Sequence, residues 1–368
     1  MKSKKFKFLL LSFTIVYLII AIFLGIIISR NINTKKNNYS YLNNKSNKVI
    51  LFIGDGMGEN HIKISSLFLD VEPIFNSFNK DGYVTTFSKN LFIPTDSAAA
   101  ATALATGKKV NNKEIAYHKG EYIDSISDYA KSQGYGVGIV TTDSLAGATP
   151  AAFSSNASNR SNTDEIINSQ LISNIDLFLG SGSNTYAAYK KMFMNNGYTY
   201  IDRYKNLTLT NKKLIGVFSK INNYTSDKEN PTLPILTEYA INYFEKNFPN
   251  GYFIMIEAAH IDKMSHDNNI YDMIKYFDEF NNSIKIAYEK LSSYSKASII
   301  VTADHETGNL KETQKATNIT NDLYRSSGHT SKKVKYYMYN KNNIFKDVNK
   351  KIDNTDIYKI CKALLNNN

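Results

Sequence analysis

"KVILFIGDGMG" occupies residues 48–58. Val49 to Ile53 form an unbroken apolar run, mostly β-branched or aromatic, and glycines and an aspartate follow at once. So short a run with no polar face reads as a strand buried on both sides; a half-exposed strand would alternate. Such strands belong to parallel sheets covered by helices on both faces. "GDGMG" then lies at the strand's carboxyl end, where open α/β sheets bind their ligands. Asp55 becomes a candidate site residue on that ground alone. The glycines are spaced G-x-G-x-G, not as the dinucleotide fingerprint requires. Asp at a strand–loop junction is also an ordinary turn residue, so the rest of the chain must decide.

The same pattern recurs. Residues 135–142, 175–180, 214–219, 252–257 and 297–303 read as further strands, and 96–106, 164–173, 234–247 and 271–291 as helices between them. Strands alternating with helices predict an α/β fold with a central, mostly parallel sheet and helices on both faces. Two more strands end in chemistry. Strand 252–257 runs into "EAAHIDKMSHD", carrying Glu257, Asp262 and His266; strand 297–303 runs into "DHETG", carrying Asp304 and His305. Each residue alone has a bland reading as a turn, cap or surface group. Three carboxyl ends that each deliver a carboxylate, two with an imidazole, point to divalent metal. Imidazole with carboxylate suits zinc, and oxygen donors suit magnesium. Asp262 and His266 are four apart and share a face on a helical turn. The only cysteine is Cys361, which leaves no thiolate site and no internal disulfide.

The net charge of +11 suggests nucleic acid until it is located. Residues 1–48 hold nine Lys or Arg and no acid, leaving 35 basic against 33 acidic residues in the other 320. The basic excess belongs to the N-terminal segment, and the globular part has no stripe to grip a phosphate backbone. Phe8 to Ser29 is free of charge for 22 residues and follows four lysines. That length suits a membrane-spanning helix, and no small-residue cleavage site follows. The organisation expected is a signal-anchor over 1–30, a polar tether over 31–48 and one domain over 49–368, held outside the cytoplasm at the cell membrane.

"TDSAAAATALATG", Thr95 to Gly107, is a plain helix with ordinary start and stop residues. Asp96 and Ser97 read first as caps. Their second meaning comes from the company they keep. In order along the chain stand "LFIGDGMG" (51–58), "PTDSAAAATALATGKK" (94–109), "GATPAAFSSNASNR" (147–160), "IEAAHIDKMSHD" (256–267), "VTADHETG" (301–308) and "SGHT" (327–330). This set resembles the alkaline phosphatase family, in its compact bacterial form.

The resemblance implies hydrolysis of phosphate monoesters through a phosphoserine, with two zinc ions and one magnesium ion as cofactors. It implies Ser97 as nucleophile beside one zinc held by Asp55, Asp304 and His305, and a second zinc held by Asp262, His266 and His329. Asp55 would also reach the magnesium ion, held with Thr149 and Glu257. Arg160 looks like the phosphate clamp and Lys263 like a helper near phosphate. A homodimer, common in the family, is allowed. The chemistry suits these residue types: a serine hydroxyl needs activation, and a metal ion and a helix N-terminus both supply it. The alternative on the same metal core is a phosphodiesterase or sulfatase. One position departs: Gly147, two before Thr149, has no side chain where many members carry Asp or His. The magnesium site is therefore expected to be weakened.

Overall fold

The computed structural model describes residues 13–22, 24–25 and 37–367. It divides into two compact units, Met1–Asn38 and Tyr39–Asn368. In the first, residues 13–22 and 24–25 are helical, with apolar side chains such as Phe13 and Tyr17 exposed. Among the described residues no helix is long and apolar enough to cross a membrane. The spanning helix expected over 8–29 is thus not found there, and residues 8–12, 23 and 26–29 of that stretch lie outside the described ones. The second unit starts earlier than Val49. Tyr39 and Leu42 are buried in its core, and the backbone N–H groups of Asn47 and Lys48 both donate to the Lys296 carbonyl. The end of the polar stretch 31–48 therefore packs on the domain.

A sheet of ten strands organises this unit. In chain order they are β1 (Lys48–Gly54), β2 (Lys80–Thr85), β3 (Gly136–Ser144), β4 (Leu177–Ser181), β5 (Thr199–Ile201), β6 (Leu214–Phe218), β7 (Tyr252–Ala258), β8 (Ala297–Thr302), β9 (Val334–Tyr339) and β10 (Lys351–Asp353). Their order across the sheet is β10-β2-β9-β8-β1-β7-β3-β4-β6-β5. Only β9 runs antiparallel to its neighbours, β8 and β2; the remaining pairings are parallel. Every residue of β1 and β7 is buried, as a strand covered on both faces requires.

The helices that matter below are α1 (Glu59–Leu69), α2 (Ser97–Thr106), α3 (Ala148–Ser154), α4 (Leu233–Asn247), α5 (His260–His266), α6 (Ile270–Leu291) and α7 (Asn354–Leu364). α6 packs on α4 and α1, while α2 packs on α3 and α7. The alanines of α2 make the second contact close: all ten of its residues are buried.

The six strands and four helices read from periodicity are present, with ends displaced by no more than two residues. The strands missed are β2, β5, β9 and β10. Three of them crowd one edge of the sheet and β5 forms the other. They are short or carry half-exposed positions such as Lys80 and Lys335, so they lack the continuous apolar run that marks a central strand.

Candidate active site

Register brings the acidic motifs together. β1 lies between β7 and β8, with Ile53 opposite both Glu257 and Thr302. The chain segments leaving all three strands therefore meet at one carboxyl edge. β1 exits through Gly56, whose φ of +68 and close approach to Asp262 exclude a side chain: a Cβ there would stand 2.6 Å from Asp262 Oδ1. Asp304 Oδ1 accepts hydrogen bonds from the N–H groups of Gly56 (3.1 Å) and His305 (2.8 Å), locking the ends of β8 and β1 to one another.

Three imidazoles face this cluster, and their hydrogen bonds show which nitrogen is bare. His329 Nδ1 donates to the Thr95 carbonyl at 2.8 Å, and His266 Nδ1 to the Ser327 carbonyl at 2.5 Å. Their Nε2 atoms then point at each other 3.0 Å apart, with Asp262 3.2 Å from His266 Nε2 and 3.7 Å from His329 Nε2. The Thr307 hydroxyl donates to Asp262 and accepts from His305 Nδ1 (3.3 Å). His305 Nε2 is thus also bare; it lies 3.2 Å from Asp304 and 3.5 Å from Asp55. The His305 and His329 rings stack with centroids 3.6 Å apart.

Lone pairs and carboxylates that face one another need a cation between them. The ligand atoms of Asp55, Asp304 and His305 all lie within 4.8 Å of one another, as do those of Asp262, His305 and His329. Asp55 Oδ1 and Asp304 Oδ2 are buried without a hydrogen bond, a costly state for an anion unless a metal takes it up. Burial, with the charges of Asp304, Asp262 and Glu257 beside it, pushes Asp55 well above the usual carboxylate range. Burial and Asp262 raise Asp304 to about 7. Burial and Asp143 raise Glu257 to about 8 against the opposing hydroxyls of Thr141 and Thr149. Asp262 goes the other way. Burial would lift it, but the hydrogen bond with His266 and the adjacent imidazoles hold it below its ordinary value. The donor set fits metal ions of the zinc kind: bare imidazole nitrogens, paired carboxylates and no sulfur.

Ser97 opens α2 at the rim of this cluster. Its Oγ lies 3.2 Å from His305 Nε2 and is almost wholly buried. The cap of the helix is Asp96, not Ser97. Asp96 Oδ1 accepts from Ala99 N at 3.0 Å, while Oδ2 accepts from Lys113 N at 3.0 Å and pairs with Arg160 Nη1 at 3.3 Å. Ser97 is left free for other work. Arg160 is held at the same helix N-terminus, over a third exposed, so part of its fork remains available. Lys263 in α5 pairs with Asp143 at the end of β3. Thr149, in the first turn of α3, approaches Glu257 with a buried hydroxyl that makes no hydrogen bond of ordinary geometry.

All the residues singled out from the sequence thus stand around one edge of the sheet. Three more were missed. Asp96 reads from the sequence only as a cap, and nothing local marks its hold on Arg160. Thr307, two beyond His305, links His305 to Asp262. Asp143 follows two threonines at the carboxyl end of β3, and the strand-end rule applied to that strand would have found it. The remaining histidines are engaged elsewhere. His61 bonds with Gly58 N and Ser265, His118 with Glu114 and Lys89, and His260 with Thr142 while stacked on Tyr276.

The sequence model of the family described as "Alkaline phosphatase" matches residues 46–363. The chain belongs to the alkaline phosphatase family. It is 31% identical over 293 residues to alkaline phosphatase 4 of Bacillus subtilis, covering 71% of this chain and 61% of that protein. To alkaline phosphatase 3 of the same organism it is 32% identical over 305 residues, covering 74% and 63%. The chain thus spans about three fifths of the length of these alkaline phosphatases. The solved alkaline phosphatase from the Antarctic bacterium TAB5 superposes with a TM-score of 0.76 at 26% identity, over 88% of this chain and 98% of that one. A variant of the TAB5 enzyme is described with Mg bound in its M3 site.

Proposed function

We propose that this chain hydrolyses phosphate monoesters, with Ser97 as the attacking group. One observation carries the reading. A hydroxyl that is not used for capping stands at a buried helix N-terminus, 3.2 Å from a bare imidazole nitrogen, beside two metal-ready clusters. Asp55, Asp304 and His305 would hold one zinc ion and Asp262, His266 and His329 the other, while Thr149 and Glu257, with Asp55, would hold magnesium. When bound, these ions supply the Lewis acidity that lowers a hydroxyl pKa and stabilises the departing oxygen.

The chain's own groups do the rest. The free N–H groups of the first turn of α2 offer an anion site to the phosphoryl oxygens. Arg160, tethered by Asp96, presents the remainder of its planar fork to two of those oxygens. Ser97 Oγ gives up its proton to solvent and forms a bond to phosphorus as the ester P–O bond breaks and the departing oxygen takes a proton from solvent. Water then attacks phosphorus from the opposite side and loses a proton, the Ser97 Oγ–P bond breaks, and Ser97 Oγ regains a proton as phosphate is released. Family membership and the names of the relatives support the monoester reading. Assay of a chromogenic monoester against a diester and a sulfate ester tests it; faster turnover of either competitor would refute it.

The 22 uncharged residues after four lysines support a membrane anchor, with the domain on the outer face. Protease added to intact cells should then release active enzyme cut within 31–38. An enzyme that is freely secreted and starts near residue 30 would refute the anchor.

A further inference from the structure

Position 147 needs no special backbone. Gly147 caps α3 with φ −60 and ψ 160, which any residue adopts. What excludes a side chain is occupied space. A Cβ on Gly147 would stand 2.5 Å from Asp143 Oδ2 and 2.9 Å from the Ser144 carbonyl. The Asp143 carboxylate already fills the place from which a residue at 147 would act.

The strand explains how it gets there. β3 pairs regularly with β4 up to Val140, opposite Leu179, and the register then shifts so that Ser144 meets Ser181. Irregularities of this kind re-aim side chains beside sites. Here three consecutive polar residues, Thr141, Thr142 and Asp143, all reach the end of β7 and the start of α5. Thr141 donates to Glu257 and accepts from Asp143 N at 2.8 Å. Thr142 accepts from Ala259 N at 2.9 Å. Asp143 Oδ1 pairs with Lys263, leaving Oδ2 on the Gly147 side. One further oxygen beside Glu257 has no hydrogen bond: Thr149 Oγ1, over nine-tenths buried. Oxygen-only donors of this kind match magnesium, which keeps several waters and takes one or two carboxylates.

We infer that Asp143 supplies, from the preceding strand, the carboxylate that Gly147 cannot, and so completes the third metal site, directly or through a metal-bound water. The inference rests on the reading of Asp55, Thr149 and Glu257 as magnesium donors. It replaces the expectation that the site is weakened.

The test is magnesium titration of the full-length, zinc-loaded protein in detergent, read by calorimetry and by the magnesium-induced rise in melting temperature. Zinc content is measured in parallel. The wild type should bind one magnesium ion. Asp143→Asn, nearly isosteric, should bind it about 10–100-fold more weakly with zinc unchanged, the usual scale for losing a supporting carboxylate. Asp143→Glu should recover part of the loss. Lys263→Met, which removes the ion pair but keeps the carboxylate, should bind magnesium at least as tightly as wild type. Asp143→Asn binding like wild type would overturn the inference and leave the magnesium site standing. Equal weakening in Asp143→Asn and Lys263→Met would also overturn it, since Asp143 would then act only through Lys263. A wild type with full zinc that binds no magnesium would refute the third site itself, and this assignment with it.

Discussion

Ser97→Ala and Asp96→Ala are neighbours whose effects should separate cleanly. Ser97 makes one hydrogen bond, to His305 at 3.2 Å, and does not cap its helix. Losing such a bond costs about 0.5–1.5 kcal/mol, and Ala regains about 0.5 kcal/mol in helix propensity over Ser. The net change should be below about 1 kcal/mol. Asp96 accepts from Ala99 N and Lys113 N and pairs with Arg160. Its removal costs a cap, about 1 kcal/mol. It also costs a second backbone bond of similar size, whereas the single-contact, partly exposed ion pair adds little. A total near 2 kcal/mol lowers the melting temperature of a domain this large by about 3 °C. Chemistry should divide the other way. Ser97→Ala should cut turnover about 10³-fold or more, the scale of removing a covalent nucleophile, and give no phosphoenzyme when the reaction is quenched with acid. Asp96→Ala should still trap one. The assays are thermal unfolding and acid-quench labelling with radioactive monoester. A phosphoenzyme in Ser97→Ala, or a larger stability loss there than in Asp96→Ala, would refute the assignment of cap and nucleophile.

Arg160→Ala should weaken inhibition by inorganic phosphate about 10–100-fold, as expected for a charge-assisted hydrogen-bond pair, with metal content unchanged by elemental analysis. His329→Ala and Asp304→Ala should instead lose metal, and their melting temperatures should no longer fall on adding chelator, because metal stabilises only the folded state that holds it. In metal-stripped protein, Glu257 (raised to about 8) and Asp304 (raised to about 7) keep protons that the unfolded chain sheds around pH 4 to 4.5. The folded state therefore binds more protons between about pH 4.5 and 8, and its stability should fall as pH rises through that window. Glu257→Gln should flatten part of that slope, measured as melting temperature against pH. Zinc affinity should climb over the same window as the protons leave.

The centre of the sheet was legible because its strands are buried on both faces, which imposes continuous apolar runs such as Val49 to Ile53 and Phe253 to Ile256. The outer strands were not, because half-exposed positions such as Lys335 break that signal. The site was legible to the extent that its residues sit directly at strand ends. Asp55, Glu257 and Asp304 are read from the strand rule alone, and register then makes their convergence unavoidable. His329 is different. It follows no long strand, and only the resemblance pointed to it. The structure brings it in through a two-residue ladder, with Thr307 opposite His329 and Glu306 opposite Thr330.

Gly147 shows where reading by position fails. A chain position and a place in space coincide only while the backbone keeps its regular path. The register shift after Val140 breaks that correspondence in β3, so a residue four positions earlier reaches the space that position 147 would fill. An absent side chain at one position therefore says nothing about the carboxylate count of the site until the neighbouring backbone is known. The same shift explains why a carboxylate cannot simply be placed at 147. Gly147→Asp in the present chain would set two carboxylates and the Ser144 carbonyl against one another. It should destabilise the protein while Asp143 is present and do so less in Asp143→Ala, where one of the two opposing groups is gone. Melting temperatures of the two single variants and the double variant measure that coupling. Strict additivity would mean that Asp143 does not occupy the space of a residue at 147.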